Sequence, residues 1–213
     1  MRIDWVPYSA AALVLGATAL SIGAALQPSG EGAAATLQMA TEQGGQWFAV
    51  AVLYFLSSVA LTIGMPAVVT LFIARGAKLG LTAVGVFTIG CVGISGLAML
   101  LVFFRSLAVT DAIEPDTFTR VTSEVGLTVF LFSWIGAFYL GELLLAIALL
   151  RARAVAKWVP GLLLLHVALF PVSLAAPELL PERVQSMTVL LLTVALCGAG
   201  IAANQHAARR ALV

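Results

Sequence analysis

Two residues stand out for chemistry in a chain that otherwise offers little of it. Glu142 lies well inside the apolar run 126–150, and His166 well inside the apolar run 158–175. The basic turn Arg151-Ala-Arg-Ala-Val-Ala-Lys157 joins the two runs. Imidazole changes charge near neutrality, so a carboxyl and an imidazole together can hold or pass a proton. Each residue is about eight positions from the turn, roughly 12 Å along a helix at 1.5 Å per residue. On two adjacent antiparallel helices they would share one depth. Tyr139 is one turn from Glu142 on the same face, and Ser173 shares the face of His166. Pro66, which frees the carbonyl of Thr62, falls at nearly the same level. Glu142, His166, Tyr139, Pro66, Thr62 and Ser173 therefore form the candidate ligand or proton site.

These residues need elements that can hold them in an apolar setting. The chain has 213 residues, 62% hydrophobic and 10% charged. Soluble domains carry about 25% charged residues, so the solvent around most of this chain must be lipid. Six apolar runs are long enough to cross a hydrocarbon layer: 7–26, 47–74, 79–104, 126–150, 158–175 and 184–203. They are continuous rather than alternating, which selects helices over a barrel. The fold expected is an all-α membrane bundle of six transmembrane helices in one domain, 1–213. Asp4 and the length of the first run favour a membrane span over a cleaved signal peptide. Between the first two spans, 33–42 has helix formers and could form a short surface helix. The segment 105–125 is charged.

Charge placement orients the bundle. With the N-terminus cytoplasmic, Arg2, Arg75, Lys78, Arg151, Arg153, Lys157, Arg209 and Arg210 fall inside, and Arg105, Arg120 and Arg183 outside. Every acid except Asp4 and Glu142 falls outside. The positive-inside rule then places both termini in the cytoplasm. Trp47, Trp158 and Tyr8 sit at span ends, where interfacial aromatics anchor. The third span carries Gly80, Gly85, Gly90, Gly93 and Gly96, which predicts a central, closely packed helix.

Glu142 constrains the function. An ionised acid at mid-membrane costs about 2.5–3.5 kcal/mol on insertion scales, so Glu142 must be protonated, paired or facing a wet cavity. A functional reading makes the pair a ligand anchor or a proton relay. A structural reading makes it a hydrogen bond that fixes helix register. Both stay open from the sequence.

Gly93-Ile-Ser-Gly96 resembles the nucleophile motif of rhomboid intramembrane proteases, which would assign Ser95 and His166 as a dyad. Ser95 lies roughly 24 Å from the inner edge against roughly 12 Å for His166, and that offset opposes a hydrogen bond. A haem would need a second intramembrane ligand beside His166, and His206 is in the tail. A retinal-type Schiff base needs a buried lysine, and Lys78 and Lys157 lie in turns. Cys91 and Cys197 sit singly in apolar runs, so neither a zinc site nor a disulfide framework is expected. No cofactor is expected. A net charge of +1 gives no field for nucleic acid.

The stretch Glu142-Leu-Leu-Leu-Ala-Ile-Ala-Leu-Leu-Arg-Ala-Arg-Ala-Val-Ala-Lys-Trp-Val-Pro160 resembles a segment of uncharacterised bacterial six-helix membrane proteins, a domain of unknown function. There an apolar helix ends in a short basic turn, followed by tryptophan, one apolar residue and proline. The resemblance covers the last ninety residues. It implies a multi-pass protein of a bacterial plasma (inner) membrane and brings no activity with it. The expected role is non-enzymatic binding of a small amphiphile, lipid or membrane partner within the bundle. A proton-coupled transporter or channel is the alternative, and an intramembrane enzyme comes third. Association with further copies stays open.

Overall fold

The computed structural model describes residues 5–28, 32–73, 76–175 and 182–211. Arg2, Asp4, Glu31, Arg75 and the turn around Pro177 and Pro181 lie outside the described residues. Among the described residues all regular structure is helical: α1 (Val6–Leu26), α2 (Gly32–Glu42), α3 (Gly44–Val69), α4 (Ala77–Val109), α5 (Pro115–Thr122), α6 (Val125–Ala152), α7 (Trp158–Ala175) and α8 (Glu182–Ala211). A short 3-10 turn, Thr70–Phe72, extends α3. Five helices, α1, α3, α4, α6 and α8, are long and apolar enough to cross a membrane. The apolar stretch of α7, Trp158–Ser173, is shorter.

The membrane-length helices and α7 form a closed ring in the order α1, α3, α4, α6, α7, α8, with α8 returning to α1. Each runs antiparallel to its neighbours. One end of the ring gathers the start of α1 and the end of α8 (the termini end). The other carries α2 and α5 (the loop end). Lipid tails are as apolar as leucine, so burial alone gives such helices no reason to associate. Close packing and hydrogen bonds must hold the seams.

Each seam has its own device. On α1–α3, Ser9 repairs the break made by Pro66. The Ala67 amide donates to Ser9 Oγ at 3.0 Å, and the hydroxyl reaches the Ile63 carbonyl at 2.7 Å. Further along, a methyl built on Gly64 would lie 2.6 Å from the Leu13 backbone, so the helices touch there. On α3–α4, Ser58 donates to the Cys91 carbonyl at 2.6 Å and Trp47 Nε1 to the Leu101 carbonyl at 2.8 Å. On α4–α6, Gly90 faces Phe138, Gly93 faces Trp134 and Gly141 faces Phe87. On α7–α8, Gly198 admits Trp158. On α8–α1, Thr193 donates to the Ala17 carbonyl at 2.9 Å and meets Ser21 at 2.5 Å.

Two expectations change. Trp47 is 7% exposed, buried with Leu37, Ala40, Ala108 and Phe118 where α2 and α5 meet α3 and α4, so it pins helices rather than anchoring at lipid. Tyr8 and Trp158 are exposed at helix starts. The glycine-rich α4 is one member of the ring and not its centre. Gly80, Gly90 and Gly93 admit neighbours, whereas Gly85 and Gly96 face open space. The charged segment 105–125 contains α5, which begins with Pro115 and carries Asp116 in its first turn. The surface helix expected at 33–42 is present as α2.

Packing differs sharply between the two ends. At the termini end all six ring helices bury side chains, including Phe72, Leu145, Leu149, Leu163, Leu196 and Ala203. At the loop end α1 and α3 stay closely packed, but α6 does not. Its buried residues begin at Gly141, and nothing from Val125 to Leu140 is buried. The ring therefore closes at one end and gapes at the other.

Candidate functional site

Glu142 is the first buried side chain that α6 sends into the ring below its open half, apart from Gly141. It is 0% exposed, and His166 of α7 is 2% exposed. His166 Nδ1 lies 2.9 Å from both Oε1 and Oε2 of Glu142. This is the only ion-pair contact among the described residues. The Tyr139 ring lies against the His166 ring, centroids 5.5 Å apart and 28° between planes. On its other contact Tyr139 stacks on Phe170 at 3.9 Å and 19°. Tyr139, itself stacked on Phe170, thus holds the imidazole ring, and the carboxyl fixes which nitrogen points away from it.

Above the pair lies a cavity of about 240 Å³ that receives residues from all six ring helices. Leu20 and Ala24 come from α1, Tyr54 from α3, and Gly90, Gly93, Ile94 and Leu97 from α4. Leu131, Trp134, Ile135, Phe138 and Tyr139 come from α6, His166 from α7, and Val189 and Leu192 from α8. The wall is almost wholly apolar. Tyr54 spends its hydroxyl on Gln27 Oε1 at 2.6 Å. His166 Nε2 has no partner among the described residues, yet it is not among the sealed, unpartnered polar atoms. It therefore faces open space. Glu142 is not part of the wall and sits behind the imidazole.

This arrangement fixes the polarity of the cavity floor. In a low-dielectric setting the pair is least costly with no net charge. A neutral carboxyl facing Nδ1–H would leave its own O–H buried with no acceptor among the described residues, so two arrangements remain: a carboxyl donating to Nδ1 of a neutral imidazole, or a carboxylate accepting from an imidazolium. In both, Nε2 carries a hydrogen. The floor then offers a hydrogen-bond donor to whatever occupies the cavity, and the ligand must bring an acceptor.

The remaining sequence candidates fall elsewhere. Thr62 and Pro66 line a separate recess with Trp5, Met65, Val69, Val84 and Thr88. Pro66 acts on the α1–α3 seam through Ser9 rather than on the pair. The Ser173 hydroxyl donates to the Phe170 carbonyl of its own helix at 2.7 Å and does not join the pair. The Ser95 hydroxyl donates to the Val92 carbonyl at 2.6 Å, and His166 is engaged by Glu142, so the two form no dyad. Among the described residues no group of three or more metal-ligating side chains converges. The cavity walls on α1, α3 and α8 carry no signal in the sequence, being ordinary apolar residues. The aromatic run Phe130 to Tyr139 was the available clue, since five of the ten residues on this stretch of α6 line the cavity.

No family model, no curated protein and no solved structure matches this chain.

Proposed function

We propose that the protein is a non-enzymatic, six-pass membrane protein that binds a small apolar molecule carrying one hydrogen-bond acceptor. The observation that supports this most is the apolar cavity whose floor presents the free nitrogen of His166. α7 is the sixth crossing in this reading. Its 18 residues reach roughly 27 Å at 1.5 Å per residue, close to the hydrocarbon thickness, and it occupies a full place in the ring. The termini end carries Lys78, Arg151, Arg153, Lys157 and Arg209, which favours the cytoplasmic side of a bacterial plasma (inner) membrane for both termini.

An apolar cavity of about 150 Å³ takes benzene, so 240 Å³ holds roughly ten non-hydrogen atoms. Nonan-2-one and decane have that size and differ in the acceptor. The ketone should raise the unfolding temperature of the detergent-solubilised protein more than the alkane does. His166→Phe should remove the difference. Equal shifts for the two compounds in the wild-type protein would sink the proposed anchor.

The same pair supports a second reading, proton-coupled transport, because Glu142 and His166 can hold one proton between them. The layer beyond Glu142, with Leu145, Leu149, Leu163 and Phe72 buried, gives a proton no polar path, so binding is preferred. Proton flux in proteoliposomes that disappears in Glu142→Gln would reverse that preference.

A further inference from the structure

A second recess, of about 540 Å³, lies at the termini end between the last turn of α6 and the first of α7. Leu149, Leu150, Val155 and Pro160 form its apolar wall, and Arg153 and Lys157 complete it. Three observations point to an anion there. First, Arg153 adopts φ +54°, a left-handed conformation that glycine takes freely and other residues resist. Its amide closes α6 by donating to the Leu149 carbonyl at 3.0 Å. Glycine would do that more cheaply, so an arginine held there points to a use for the guanidinium. Second, neither cation has a carboxylate partner among the described residues. Glu142 is engaged by His166, and the other acids with described side chains lie at the loop end. Third, the recess sits at the level of exposed Trp158, where interfacial tryptophans meet head groups.

We propose that this recess seats one anionic phospholipid. Its phosphodiester would lie on Arg153 and Lys157, and the first part of an acyl chain would lie along Leu149 and Leu150. Guanidinium and phosphate oxygens pair through parallel N–H···O bonds. Basic recesses between membrane helices are suited to such head groups. The site is separate from the His166 cavity, so either can fail without the other. It also does not depend on which end faces the cytoplasm.

The test is native mass spectrometry of the full chain titrated with phosphatidylglycerol or phosphatidylcholine of identical acyl chains. The first phosphatidylglycerol should bind about thirtyfold more tightly than phosphatidylcholine, as two interfacial cations imply. Arg153→Gln with Lys157→Gln should abolish that preference, while Lys78→Gln at the same end should leave it within about twofold. Arg153→Gly relieves the backbone, so it should unfold at a higher temperature than wild type in phosphatidylcholine yet lose most of the preference. Equal affinity for the two lipids would overturn the site. So would a loss in Lys78→Gln as large as in the double variant, which would mean diffuse attraction. Displacement of phosphatidylglycerol by millimolar inorganic phosphate would assign the recess to a soluble anion and overturn the lipid assignment.

Discussion

His166 has one ring nitrogen committed to Glu142 and one left for the cavity, and that division carries the functional reading. A buried acid whose partner is removed is costly. His166→Leu should therefore lower the unfolding free energy by about 3–5 kcal/mol. The double change Glu142→Leu with His166→Leu should sit within about 1 kcal/mol of wild type, because an apolar pair of similar volume replaces an ionisable one. Denaturant unfolding in detergent measures both. If the double variant is as unstable as the single one, the pair is held by something other than mutual satisfaction. Elsewhere, Ser57 Oγ is the one buried side-chain polar atom without a partner among the described residues. Ser57→Ala should raise stability by about 1 kcal/mol in the same assay. At this scale the sequence was informative. Two ionisable groups in apolar runs announce themselves, and equal distances from a short turn place them together. What it could not show is that Glu142 is sealed while His166 is presented, since a side chain's access depends on helices far away in the chain.

Helix-level features were legible where local chemistry sets them. The apolar runs end where charge begins, and α2 and α7 appear where expected. Pro66 was visible as a break, but its repair was not, because Ser9 lies on another helix and looks like any serine in an apolar run. The repair gives a coupled prediction. Ser9→Ala should cost about 1–2 kcal/mol in the native helix. In a Pro66→Ala background, where α3 can make its own bonds, the same change should cost much less. Additive effects would remove Ser9 from that role. Glu124 caps α6, its Oε2 accepting from the Leu127 amide at 2.7 Å. Hydrogen bonds from the Gly126 and Leu127 amides hold its carboxyl below the ordinary range. A folded-state value below the unfolded one means the cap stabilises above the ordinary carboxylate range. That stabilisation is lost as pH falls through the folded value. The stability gap between wild type and Glu124→Ala should be widest at neutral pH and close in acid. A gap independent of pH would show that the carboxylate charge is not what caps the helix. The charged segment 105–125 was assigned no structure from the sequence, although Pro115 followed by Asp116 is a helix start, and α5 begins there.

At the scale of the whole molecule, the ring order and the unequal packing of its ends decide what the protein can do. The sorting of charges to two ends was readable from the sequence, and so was helical membrane architecture. The ring was not, since nothing in six similar apolar runs says that the last returns to the first. That closure rests on Ser21, Thr193 and small residues that carry no unique signature. The cavity lies above Gly141, where α6 rests on α4 through Phe138 and Trp134 but buries no side chain of its own among the other helices. The proposed orientation has a direct check. Cysteine at Ser123 should react with a membrane-impermeant maleimide on intact cells, and cysteine at Ala156 only after permeabilisation. The reverse pattern would invert the bundle. The binding claim itself comes down to one atom. The chain has two histidines, and His206 lies near the end of α8, so imidazole ¹⁵N resonances provide both a probe and an internal control. On titration with nonan-2-one, the Nε2 signal of His166 should move and saturate while that of His206 stays fixed. A His166 signal that does not respond, or one that moves in step with His206, would contradict a ligand seated on the cavity floor.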